Sequence, residues 1–193
     1  MPLIFDIETQ KPVPPKDGVW LSGIQYCKSW GDYLGMGIAV LAAYEYNPVS
    51  NNVLVFGASD IQDFQAVIDR ADSIVTYNGH SFDCKLLAAH GVTVPREKSL
   101  DLCELLRQQT SNRYKLGDIA ETNFNEGKIE DGALAPVLWQ RGEKFRVIRY
   151  CLSDVKLTTR LYRLFLKGSF ICPKLKQELP ISLPDLFREV TLT

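Results

Sequence analysis

Apolar positions recur at a period of two in the first part of the chain and at a helical period further on. Leu3-Ile4-Phe5-Asp6-Ile7-Glu8-Thr9 is a β-favouring run in which Asp6 and Glu8 interrupt the apolar residues. Residues 11–18 contain three prolines and predict a loop. Trp20, Ser22, Ile24 and Tyr26 alternate with Leu21, Gly23 and Gln25, which predicts a short strand or ribbon. Residues 35–46 (GMGIAVLAAYEY) are apolar almost throughout and predict a strand buried on both faces. A turn over 47–52 then leads to a strand at 53–56, so the sheet starts antiparallel.

Beyond Ser59 the period changes. Ile61, Phe64, Val67 and Ile68 lie at helical spacing behind Asp60 and Asp63, predicting a helix to about Arg70. A short buried strand follows at 73–77 (SIVTY), then a turn at 78–81 and a helix at 82–90 closed by Gly91. Residues 92–98 read as loop or short strand, and 100–109, 116–124, 132–141 and 144–167 read as helices, with a charged loop at 125–131. Strands after the helix at 60–70 are expected to lie parallel to the first. Residues 168–193 carry three prolines and predict a tail packed on the domain. The order of strands, then mixed elements, then helices predicts a single domain over 1–193, α/β or α+β in class.

Length supports a domain with its own core, and the net charge of −1 gives no global attraction to nucleic acid, leaving that role to local basic patches. Five scattered cysteines without a C-x-x-C pair, and only two histidines, argue against a zinc site and for reduced thiols. The chain shows neither a membrane-spanning apolar run nor a secretory leader pattern, so we expect a cytoplasmic protein with no membrane partner.

Candidate chemistry begins with Asp6 and Glu8. In a strand, residues two apart face the same way, so both carboxylates project side by side. Paired carboxylates on a buried face repel unless a cation sits between them, and hard oxygens suit Mg²⁺ or Mn²⁺. A solvated polar edge explains the same pattern equally well. Asp83 opens a helix directly after a strand and turn, where it also complements the helix dipole. Tyr150 and Asp154 lie four apart on one helical face, readable equally as a core aromatic and an exposed charge.

Together these motifs form D-x-E on a first strand, N-x-x-x-F-D at a strand-to-helix turn and Y-x-x-x-D on a late helix. Their order and spacing resemble the DEDD family of 3′-to-5′ exonucleases in the ribonuclease H-like superfamily. The stretch from Ser99 to Lys128, with Ser99-Leu100-Asp101-Leu102 and Tyr114-Lys115-Leu116-Gly117-Asp118, looks like that family's usual connection. The family's branches carry either a histidine five residues before the last aspartate or a tyrosine four before it. Here those positions are Arg149 and Tyr150, so the chain resembles the tyrosine branch, DEDDy.

The resemblance implies a single-domain α/β ribonuclease H-like fold, a central mixed sheet of five or six strands flanked by helices, with its active site at the end of the first strand. It implies two divalent metal ions, Mg²⁺ or Mn²⁺, and release of nucleoside 5′-monophosphates from single-stranded DNA or RNA 3′ ends. Asp6 would bridge both ions, Glu8 and Asp154 would complete the coordination of the first ion, and Asp83 would hold the second ion. Tyr150 would orient the attacking water together with Glu8. Asn78, Phe82 and the Thr9 backbone would meet the terminal nucleotide, with Phe82 also readable as core. Arg107, Gln108, Asn112, Arg113, Tyr114 and Lys115 form a candidate phosphate-contact loop or a solvated connection. Trp20, Trp30 or Tyr33, in the long loop over 10–35, could stack on bases. The chain ends soon after the last motif. That fits a free-standing enzyme, or a subunit supplying nuclease activity to a protein partner with polymerase, helicase or targeting function. The alternative is a non-catalytic nucleic-acid- or protein-binding module that keeps the fold.

Overall fold

The computed structural model describes residues 1–46, 52–127 and 132–188. In chain order the elements are β1 (Pro2–Thr9), α1 (Tyr33–Met36), β2 (Ile38–Glu45), β3 (Asn52–Phe56), α2 (Phe64–Arg70), β4 (Ser73–Thr76) and α3 (Asp83–Ala89). There follow β5 (Ser99–Asp101), α4 (Leu102–Thr110), α5 (Leu116–Phe124), α6 (Ala135–Gln140), α7 (Lys144–Leu166), β6 (Ser169–Ile171) and β7 (Glu178–Pro180). The central sheet has five strands in the order β3-β2-β1-β4-β5. Both β1–β2 and β2–β3 are antiparallel, whereas β4 pairs parallel with β1 and β5 parallel with β4. The short link between β2 and β3 permits an antiparallel return, and α2 and α3 supply the crossovers that parallel neighbours require.

Alternation along β1 separates two packed layers. Leu3, Phe5 and Ile7 pack into a layer with Phe64 and Ile68 of α2 and Leu86 and Leu87 of α3. Ile4 faces the other way, into a layer with Tyr150, Cys151 and Val155 of α7. Asp6 and Glu8 follow Ile4 at the same period, so they point toward α7. The 23 residues of α7 extend about 35 Å along the sheet. The thiol of Cys151 donates to the Asp6 carbonyl at 3.2 Å, fastening the helix to the strand beside the carboxylates.

The sequence expectations need five corrections. Residues 20–26 form no strand: Gly18 and Gly23 take positive φ, and the Gln25 N–H bonds to the Gln140 side chain rather than to a neighbouring strand. The strand expected from residue 35 begins at Ile38, after the one-turn helix α1 capped by Asp32. The helix expected from residue 59 starts as a 3₁₀ turn at Ile61–Asp63. Residues 99–101 are a strand, β5, and the helix behind it starts at Leu102 with Asp101 as its cap. The 132–141 segment opens as a 3₁₀ turn and continues as α6 with Pro136 in its first turn.

In the tail, β6 and β7 form a hairpin, and Phe170, Ile181, Leu183 and Phe187 are buried against the α7 layer. The Tyr162 hydroxyl donates to the Phe187 carbonyl at 2.8 Å. Most of the turn expected over 47–52, part of the charged loop over 125–131 including Lys128, and residues 189–193 lie outside the described residues. The five cysteines carry free thiols. Among the described residues, no helix is long and apolar enough to cross a membrane.

Candidate functional site

The first strand and the long helix α7 meet at the carboxylates. Asp6 and Glu8 stand on β1 and Asp154 on α7, and one carboxylate oxygen from each lies within 4.8 Å of the other two. Glu8 and Asp154 are buried and Asp6 half-buried. Holding three carboxylates this close, away from water, is unfavourable without a cation to balance them. An all-oxygen donor set of this kind fits Mg²⁺ or Mn²⁺ better than a soft metal.

Asp83 lies outside this tight group but within its field. Burial pushes its carboxyl up to about 7, and the charges of Asp101 and Asp154 act in the same direction, against hydrogen bonds to the backbone of Asp83 and Ile7. The residue opens α3 and is only 6% exposed. One turn before Asp154 on α7, Tyr150 is also buried. Burial raises the Tyr150 hydroxyl pKa far above its ordinary value, and Asp154, Glu8 and Asp6 raise it further. It therefore stays protonated, and it shares a hydrogen bond with Asp154. Gly132 approaches this ring so closely that an added Cβ would lie 2.9 Å from the Tyr150 hydroxyl.

A cavity of about 500 Å³ is lined by Asp6, Glu8, Asp83, Tyr150 and Asp154 together with Thr9, Asn78 and Phe82. A wider cleft of about 1070 Å³ shares Asp6, Tyr150 and Asp154 and extends past Asn78 to Arg113 and Lys115. Asn78 occupies the left-handed region, with φ of 65°, which asparagine tolerates better than most residues. The Asn78 side-chain oxygen accepts from Arg113 at 2.6 Å and from Ser81 at 2.7 Å.

The candidate phosphate loop divides. Arg113, Tyr114 and Lys115 line the wide cleft. Arg107 lines a neighbouring pocket with His80 and Arg96, and Asn112 accepts from Lys174 of the tail. Of the three candidate stacking residues, Trp30 lines both cavities and Tyr33 packs against Phe82, whereas Trp20 lies edge-on to Tyr26 with ring centroids 4.7 Å apart.

Sequence reasoning missed two supporting residues. Asp101 accepts backbone N–H groups of Asn78, His80, Cys103 and Glu104, clamping the β4–α3 turn to the start of α4. The helical pattern read over 100–109 placed Asp101 inside a helix, which hid both its capping role and its contact back to Asn78. Gly132 carried no signal at all, because its role is to leave room for Tyr150.

Comparison with known proteins bears on this arrangement. A family model of the RNase H superfamily matches residues 3–166. Among solved structures, the chain is similar to the family B DNA polymerase from the hyperthermophilic archaeon Pyrobaculum calidifontis. The match has 20% sequence identity and a TM-score of 0.64, covering 86% of this chain and 24% of that one. The chain thus spans about a quarter of that polymerase, and at this identity the likeness is one of fold. No curated protein matches the sequence.

Proposed function

Because the chain belongs to the RNase H superfamily, we propose that it is a metal-dependent 3′-to-5′ exonuclease of the DEDDy type. Its substrate is single-stranded DNA or RNA and its products are nucleoside 5′-monophosphates. The observation that carries this reading is the convergence of Asp6, Glu8 and Asp154 oxygens within 4.8 Å of one another. Tyr150 and Asp83 stand in the same cavity.

Asp6, Glu8 and Asp154 would hold one divalent ion, and Asp6 with Asp83 a second. Two such ions, when bound, lower the pKa of an attacking water and neutralise charge on the phosphate and the departing 3′ oxygen. The protein's own groups do the rest. Tyr150 keeps its proton and orients a water by hydrogen bonding beside Glu8, a positioning role for which a protonated hydroxyl suffices. Asn78 and Phe82, on the turn that carries Asp83, flank the terminal nucleotide. Arg113 and Lys115 supply positive charge for the phosphates further back along the strand.

The test is digestion of a 5′-labelled single-stranded oligonucleotide, as DNA and as RNA, with Mg²⁺ or Mn²⁺. A ladder shortening one nucleotide at a time from the 3′ end, lost in Asp6→Ala, is expected. Absence of cleavage of either polymer with either metal would overturn the proposal and favour a binding module of the same fold.

A further inference from the structure

The loop over residues 10–32 is braced rather than loose. The Gln140 side chain of α6 accepts the Gln25 N–H at 2.7 Å and donates to the carbonyls of Gln10 at 3.0 Å and Gln25 at 2.8 Å. The Cys27 N–H donates to the Pro12 carbonyl at 3.1 Å, and the Cys27 side chain is buried. Asp32 accepts the N–H groups of Lys28 at 2.8 Å and Gly35 at 3.0 Å, closing the turn that carries residue 30.

On this braced turn Trp30 is 64% exposed. Its ring centroid lies 5.7 Å from that of Phe82, with the planes tilted by 38°, and Tyr33 meets the same Phe82 ring edge-on at 6.1 Å. Phe82 immediately precedes Asp83. Trp30 is also common to the cavity holding Asp6, Glu8 and Asp83 and to the wider cleft reaching Arg113 and Lys115. A large indole fixed in this way beside a polar, anionic cavity leaves apolar surface in water that a flat apolar ligand would cover.

We infer that Trp30 is a stacking platform for a nucleobase next to the scissile phosphate, built by this chain's long first loop and backed by Phe82. The inference rests on the nucleic-acid reading of the cleft. A π-face accepts any base, so Trp30 adds affinity for unpaired ends without reading sequence. A base inside a duplex is stacked on both faces, and a terminal one is held by its pairing partner and its single neighbour, so the contact favours single-stranded or frayed 3′ ends.

The test separates this contact from catalysis. Binding of labelled DNA and RNA oligonucleotides is followed by fluorescence anisotropy in EDTA, where no cleavage competes. Trp30→Ala is expected to weaken binding about tenfold, and Trp30→Phe to recover most of it. An abasic residue at one of the two 3′-terminal positions should weaken binding by wild type and make Trp30→Ala indistinguishable from it. Equal affinity of Trp30→Ala and wild type for intact strands would overturn the inference. So would an equal loss on intact strands and on strands abasic at either position, which marks a folding defect. If wild type binds in a Trp30-dependent way yet cleaves nothing, the exonuclease reading fails and the stacking contact stands. If it cleaves and Trp30→Ala binds normally, the reverse holds.

Discussion

The Asp101 carboxylate accepts the backbone N–H of Asn78 at 2.8 Å, joining the ends of two parallel strands beside the carboxylate-lined cavity. Its second oxygen accepts the His80 N–H at 3.1 Å, and the first also takes the Cys103 and Glu104 N–H groups at the start of α4. One buried side chain thus satisfies four backbone donors on two segments. Asp101→Ala removes a helix cap and strands buried N–H groups, and should destabilise the fold by about 2–4 kcal/mol. Asp101→Asn keeps an acceptor oxygen and should cost less. Chemical denaturation of both variants checks the order, and equal losses would show that the clamp is not a matter of accepting hydrogen bonds.

Gly132 and Tyr150 share a space with no room for a methyl group. A Cβ on Gly132 would lie 2.9 Å from the Tyr150 hydroxyl, at the end of a buried ring that cannot swing away as a surface side chain would. Gly132→Ala should therefore lower activity by moving that hydroxyl. In a Tyr150→Phe background the clash is relieved, so Gly132→Ala should cost less there than in wild type. Strict additivity of the two substitutions in a double-mutant cycle would argue that Gly132 acts elsewhere.

The metal-holding and water-orienting roles predict unequal losses. Tyr150→Phe removes a hydroxyl that bonds Asp154 and, in the proposed mechanism, orients water, a supporting contact of the kind worth about 10- to 100-fold in activity. Asp6→Ala removes one of the proposed metal ligands and should lower activity further, together with the metal-dependent rise in melting temperature. Isothermal titration with Mn²⁺ and single-turnover cleavage check the ranking. A larger loss for Tyr150→Phe than for Asp6→Ala would reverse the assigned roles.

Much of this arrangement was legible in the sequence, for reasons that also explain the gaps. The period of two in β1 put Asp6 and Glu8 on one face, and the spacing of four put Tyr150 and Asp154 on one side of α7. Helices on either side of residues 73–76 announced the parallel half of the sheet. Strand β5 was hidden because Ser99–Asp101 is short and runs into a helical pattern. Residues 20–26 alternate convincingly yet form no strand, since alternation records exposure and not a pairing partner. The Asp101–Asn78 bond crosses 23 residues, and the Gly132–Tyr150 fit depends on the packing of two segments. Neither leaves a trace in local spacing.

Asp83 gives the site a pH dependence of unusual sign. Burial foremost, then the charges of Asp101 and Asp154, raises its carboxyl from the ordinary 3.8 to about 7. Between those values the folded, metal-free protein keeps a proton that the unfolded chain releases, so this residue's contribution to stability falls as pH rises toward 7. Most native carboxylates act in the opposite direction. Removing the titrating group in Asp83→Asn should abolish this slope, so the variant should gain stability relative to wild type between pH 5 and pH 8. A metal held by the ionised carboxylate must displace that proton, so metal affinity should weaken as pH drops below about 7. Melting curves of wild type and Asp83→Asn in EDTA and in Mn²⁺, across this range, test both statements. Parallel pH profiles for the two proteins in EDTA would show that Asp83 is ionised throughout.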